Sequence, residues 1–158
     1  IYGSCAGLAT DKYAGYFSGN VTVTGTFNNP SDLALKDNLA EIASPLQKLM
    51  DLNVYSFNYK DIEHMELPRG RNFGFVAQEM ENLFPELVSI QKHPVDDKED
   101  KLKSSEIEYK GINYIGMIPL LTKAIQEQQL IIESQRKEID ELMLRMSQLE
   151  NEKSAADK

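Results

Sequence analysis

The sequence predicts an α+β fold: a short N-terminal β-fibre segment, a small mixed helix and strand body, and a long C-terminal helix forming a trimeric coiled coil. Three observations predict it. Residues 1–30 are rich in Gly, Thr, Ser, Asn and Tyr, and Val21-Thr22-Val23-Thr24 alternates as a half-buried strand does. Val54 to Tyr59 alternates as well, with Tyr55, Phe57 and Tyr59 on one face. From Ile118 onward, apolar residues recur every seven positions.

Bulk properties bound what such a chain does. Its 158 residues fit one domain with an extension. A formal charge of −8 argues against a nucleic-acid partner, because phosphate binding needs a basic surface. Apolar residues make up 41 % of the chain, yet no run approaches the ~18 needed to span a membrane. Cys5 is the single cysteine, so no internal disulfide forms. Two histidines, His64 and His93, without a cysteine pair do not make a zinc site. No Gly-rich phosphate loop is present, and no cofactor is expected. The chain opens on Ile1 rather than Met, which reads as a fragment of a longer protein.

Residues 1–30 are too few to bury a core alone, and Gly15, Gly19 and Gly25 punctuate them as turns or bulges do. They read as the last rung of an extended β-fibre whose core is shared between chains. Residues 31–52 turn helical: Leu35, Leu39, Ile42, Leu46 and Leu49 fall on one helix face. Pro45 breaks that helix, and Ser44-Pro45-Leu46-Gln47 predicts a new start with Ser44 as cap, Pro45 at the first helical position and Gln47 completing a capping box. After the Val54–Tyr59 strand, 60–71 is a charged loop. Phe73 to Val76 is a short strand, and Ala77 to Phe84 a helix ended by Pro85. Leu87 to Ile90 is another strand, and 91–105 a solvated hairpin or loop.

Residues 112–152 form one helix, with Pro119 near its start as a kink or as the true beginning. Ile118, Ile125, Ile132, Ile139 and Met146 take the a positions, and Leu121, Gln128, Gln135, Leu142 and Leu149 the d positions. At ~1.5 Å per residue the helix spans on the order of 50–60 Å, too long to pack back on so small a body. Its stripe needs partner helices, most simply from identical chains. Isoleucine at a with mixed d residues permits either a dimer or a trimer. The glutamines set register by bonding across the axis, and Arg145 and Glu150 pair between chains for only tenths of a kcal/mol. The division is 1–30 fibre end, 31–111 body, 112–152 coiled coil and 153–158 disordered tail.

The chemistry centres on Ser31 to Lys36. Serine is a poor nucleophile until a base takes its proton, and Ser–Lys pairs do this on several unrelated folds. A lysine serves only when uncharged, and a free lysine titrates near ~10.4, so the base must be desolvated. The carboxylates of Asp32 and Asp37 work against that. A working pair therefore requires Lys36 to be buried away from them, at an interface between chains. With Ser31 extended at a helix entrance, Lys36 lies just over one turn in and folds back toward it. The target is the carbonyl of Pro30, immediately before Ser31. An ordinary N-cap followed by an ordinary surface lysine is the plainer reading of the same spacing.

Ser31-Asp32-x-x-Leu35-Lys36, the Val54–Tyr59 strand, Phe73-Gly74-Phe75-Val76-Ala77-Gln78-Glu79, Pro85-Glu86-Leu87-Val88, Tyr109 and Leu120–Gln128 together carry a resemblance. Over roughly 31–130 the chain resembles the C-terminal intramolecular chaperone domain of phage endosialidases and tail spikes, an auto-processing domain similar to one in myelin regulatory factor. The resemblance implies a homotrimer that helps the preceding β-helical stalk of the same polypeptide to fold and then releases itself as a self-cleaving serine endopeptidase. It implies Ser31 as nucleophile, Lys36 as its base and cleavage between Pro30 and Ser31, on a phage tail fibre or bacterial surface protein. Asp32 matches an acid of the family pattern. Ala34 stands where the family has a basic residue before its Leu-Lys pair, and Pro30 slows attack. These two positions favour the alternative, a non-cleaving trimerisation cap. A generic coiled-coil adaptor leaves 31–110 without a purpose.

Overall fold

A computed structural model describes residues 15, 17, 19–96 and 104–156. The architecture is α+β: three α-helices, the last very long, and two small antiparallel sheets among the described residues. Contacts divide the chain into two units, one of Ile1–Glu41 with Leu52–Tyr114 and one of Ile42–Asp51 with Ile115–Lys158. The unit boundary thus runs through the expected 31–111 body. Cys5 and the rest of 1–14 lie outside the described residues.

In the first unit, Val21-Thr22-Val23-Thr24 forms no strand in the single chain. Alternation alone does not make a strand; its N–H and C=O groups need a neighbour to pair with. Strand β1, Tyr55–Phe57, pairs antiparallel with β2, Asn72–Gly74, so that Tyr55 faces Gly74 and Phe57 faces Asn72. The aromatic face expected along β1 is only half covered. Phe57 and Tyr59 meet edge to face at 5.0 Å, with Tyr55 and Tyr59 37 % and 46 % exposed.

Helix α2, Ala77–Leu83, follows, with Glu79 in its first turn where a carboxylate complements the helix dipole. Pro85 stops it, because the residue before a proline is pushed out of the helical region; Phe84 sits at φ −138°. A 3-10 turn, Pro85–Leu87, brings the chain into β3, Val88–Asp96. Met80, Phe84 and Leu87 are buried and form the small core of this unit, joined by the His93 ring. The Nε2 of His93 lies 2.5 Å from the carbonyl oxygen of His64, which holds the 60–69 loop where His64 adopts a left-handed φ of 68°.

The described residues of the charged 91–105 stretch belong to two paired strands. β3 pairs along nine residues with β4, Ser104–Ile112, from Val88 opposite Ile112 to Asp96 opposite Ser104. Ile107 and Tyr109 alternate with Glu106, Glu108 and Lys110, so one face of β4 is charged. Lys110 pairs with Glu81 of α2, and Lys92 sits between Glu106 at 3.2 Å and Glu108 at 3.8 Å. Exposed pairs of this kind contribute tenths of a kcal/mol each.

The Gly74-Phe75-Val76-Ala77-Gln78-Glu79 block is fastened twice. Glu79 accepts from the Tyr55 hydroxyl at 2.8 Å and from the Asn53 amide at 3.3 Å. Tyr114 stacks on Phe75 with ring centroids 5.9 Å apart, and its hydroxyl accepts from the Phe75 N–H at 3.2 Å. A Cβ on Gly74 would stand 2.5 Å from that hydroxyl, so only glycine lets Tyr114 come so close.

In the second unit, α1, Leu46–Met50, lies against α3, Met117–Ala156. The expected helix over 31–43 is absent: a 3-10 turn at Leu33–Leu35 is followed by irregular chain to Ser44. Asn38 adopts a left-handed φ of 51°, which interrupts any helix there. With no helix before it there is no break at 43–45, and Pro45 is the N-cap of α1 rather than its first residue. α3 starts at Met117 rather than 112 because β4 occupies residues up to Ile112, and it runs past Glu152 to Ala156. Pro119 falls in its first turn, where a missing N–H costs nothing.

Two predictions follow from the fastenings of the Gly74–Glu79 block. The hydrogen bond to Glu79, with some burial and the Glu79 charge, raises the Tyr55 hydroxyl above its ordinary value near 10.0. Its folded value lies above its unfolded one, so this contribution to stability is complete below about pH 10 and is lost as pH rises through the folded value. An absorbance titration should show one tyrosine ionising late, and Glu79→Gln should return it toward the ordinary range. Gly74→Ala should destabilise the protein by about 1–3 kcal/mol, as overpacking does. Removing the obstructing hydroxyl with Tyr114→Phe should make the same change cost less in denaturant melts.

Candidate functional site

The stretch from Ser31 to Lys36 folds as one self-contained turn. Asp32 is its N-cap: the backbone is extended at φ −63° and ψ 139°, and the carboxylate accepts from the Ala34 N–H at 2.9 Å. Leu35 N–H donates to the Asp32 carbonyl and Lys36 N–H to the Leu33 carbonyl, each at 3.1 Å. Short polar side chains cap helix starts in this way. Lys36 stands just beyond the turn in extended backbone and not inside a helix.

This geometry returns the lysine to the serine. Lys36 Nζ donates to Ser31 Oγ at 3.0 Å. Five residues separate them, and the 3-10 turn spans that interval compactly. The distance lies in the range over which a nucleophile and its base exchange a proton. The neighbouring carboxylates do not intervene. Asp32 is occupied with the Ala34 N–H, and Asp37 turns to its own next residue, accepting from the Asn38 N–H at 2.8 Å. Among the described residues neither forms an ion pair with Lys36.

The turn is open in the single chain. Every residue from Pro30 to Ser44 is exposed, Lys36 included, and Leu33, Leu35 and Leu39 are each about 70 % exposed. Among the described residues, none supplies the burial that a lysine base requires.

The expected coiled-coil positions behave alike. Ile118, Leu121, Ile125, Ile132, Ile139, Leu142, Met146 and Leu149 lie along α3 with 46–65 % of their surface exposed, and Gln128 and Gln135 are exposed with them. The buried residues of α3, Met117 and Ala124, occupy the g position of the heptad, beside the a/d stripe.

One residue of this region has no sequence signature. Glu127 Oε2 accepts from the Ser44 hydroxyl at 2.8 Å and from the Leu46 N–H at 3.3 Å. It thereby replaces the capping box expected of Ser44 and Gln47, and Gln47 instead bonds Asp51 at 3.2 Å. A glutamate at a c position of a heptad reads as solvated surface, so only the proximity of α1 reveals its role.

Comparison with known families agrees with the resemblance drawn from the sequence. Residues 31–89 match the model of a family described as chaperone of endosialidase, and the match begins at Ser31. No curated protein matches the chain.

Proposed function

Starting from that family match, we propose that this chain is an intramolecular chaperone that trimerises, sets the register of a preceding fibre stalk and frees itself by cutting between Pro30 and Ser31. The observation that supports it most is the 3.0 Å contact between Ser31 Oγ and Lys36 Nζ, at the residue where the match begins. In this reading residues 1–30 are the end of the stalk, the body begins at Ser31, and α3, Met117–Ala156, carries the coiled coil. The parent is a tail fibre or tail spike of a phage, or a bacterial surface adhesin.

The chemistry balances with the residues at hand. Neutral Lys36 takes the proton from Ser31 Oγ, which attacks the carbonyl carbon of Pro30. The tetrahedral carbon expels the Ser31 nitrogen, which receives that proton from Lys36 and becomes a free amine. Pro30 is left as an ester on Ser31 Oγ. Water then adds to the ester, Pro30 leaves as a carboxylate and Ser31 regains its hydroxyl. No cofactor is needed.

Assembly supplies the two things the single chain lacks. Three α3 helices joined along Ile118 to Leu149 cover side chains worth on the order of 1–2 kcal/mol each. Neighbouring protomers cover Leu33, Leu35 and Leu39 and take Lys36 out of water, which favours its neutral form. Chaperoning follows from tethering. Three fibre ends find each other slowly because long-range pairing costs loop-closure entropy first. Holding them on one coiled coil raises their effective concentration to on the order of millimolar. The cut then removes the tether and makes stalk folding irreversible. A permanent, non-cleaving trimer cap is the second reading, favoured by the exposure of Lys36 in the single chain.

Wild-type protein should appear as fragments 1–30 and 31–158 by intact mass, and Ser31→Ala should stay whole. A wild type that stays whole under all conditions would leave the trimer cap and remove the protease. Charged residues at both Ile125 and Ile132 should give monomers by light scattering, and persistent trimers would count against the coiled coil.

A further inference from the structure

The Ser31–Lys36 turn is well built internally but poorly held. Its hydrogen bonds join Asp32 to Ala34 and Leu35, Leu33 to Lys36, and Ser31 to Lys36. Asp37 binds only its neighbour Asn38. Among the described residues, nothing between Ser31 and Ala43 bonds to a distant part of the chain, and nothing there is buried. Going forward from the turn, the first anchorage is at Ser44 and Leu46, and both are held by the same carboxylate, that of Glu127. Pro45, between them, is the first buried residue after the turn.

Glu127 stands on α3, one residue before the d-position Gln128. It does what a capping side chain does for α1, but from 81 residues away: its oxygen accepts the Leu46 N–H that Pro45 has no side chain to satisfy. The anchor of the cutting segment is therefore fixed to the helix that carries the a/d stripe. Between Lys36 and Ser44 the chain reaches at most roughly 25–30 Å. The turn therefore stays within that length of chain from the clamp at Ser44.

We propose that Glu127 is a positioning residue for self-cleavage: it clamps the start of α1 to the coiled-coil helix and so fixes the downstream end of the segment that holds Ser31 and Lys36. It touches neither reacting atom. This inference rests on the proposed self-cleavage, and the experiment separates the failure of one from the failure of the other.

The test follows the appearance of fragment 31–158 from the full chain in wild type, Glu127→Gln, Glu127→Ala and Ser44→Ala, with oligomeric state measured on each. Glu127→Ala should stay trimeric and cut about tenfold more slowly or worse, since small misplacements of reacting groups cost up to about a hundredfold. Glu127→Gln keeps an acceptor oxygen for both donors and should cut within about threefold of wild type. Adding Ser44→Ala to Glu127→Ala should slow cutting no further, because both remove one link. The pH profile of cutting should keep its shape in every variant. A trimeric Glu127→Ala that cuts at the wild-type rate overturns the clamp and leaves self-cleavage standing; a changed pH profile overturns the positioning role. An uncut wild type overturns both. If Glu127→Ala does not assemble, Ser44→Ala decides, since it leaves α3 untouched: slower cutting supports the clamp and an unchanged rate overturns it.

Discussion

An amine is a base only when it has lost its proton, and water is the environment that keeps the proton on. Lys36 reaches Ser31 at 3.0 Å within one chain, yet both face solvent there. Distance and protonation are thus supplied by different levels of structure. The distance is local, made within Ser31–Lys36 by the capped 3-10 turn at Leu33–Leu35. In the proposed self-cleavage, the exclusion of water that a lysine base needs comes from whatever covers that turn. A pair built this way is close together in the single chain and, in that proposal, relies on a neighbouring chain for its cover, which suits a cut that comes last.

The same division runs through the rest of the molecule. The first unit has a core of only a few side chains, Met80, Phe84 and Leu87 with His93 beside them. It is pinned instead by directed contacts, Tyr55 to Glu79 and Tyr114 to Phe75. The second unit sets α1 against a forty-residue helix that hides Met117 and Ala124 and leaves the heptad stripe uncovered. Among the described residues neither unit closes a large apolar core. In the proposed trimer, that exposed apolar surface is covered by copies of the same chain.

How legible this was depended on range. The heptad of α3, the β1 and β2 strands, α2 and its end at Pro85 follow from periodicity and proline, which act over a few residues. The Ser31–Lys36 approach was also readable, because turn and cap are local. The helical face of Leu35, Leu39 and Ile42 misled: spacing was right, but Asn38 turns left-handed and no surface lies against that face to reward a helix. The reach of β4 was masked by its charges, although Ile107 and Tyr109 keep the alternation. Glu127 was illegible in principle, since its partners Ser44 and Leu46 lie 83 and 81 residues away. The length of α3 past Glu152 is a matter of helix continuation, for which a polar tail gives no sign.

The central claim is that assembly switches on a pair already in place. Its most direct test is the rate of cutting as a function of chain concentration after dilution from denaturant. The account predicts a rate that climbs steeply with concentration while chains assemble, then becomes constant and first-order once trimers are complete. Cutting at one unchanging first-order rate, down to dilutions at which the chain is monomeric, would contradict it.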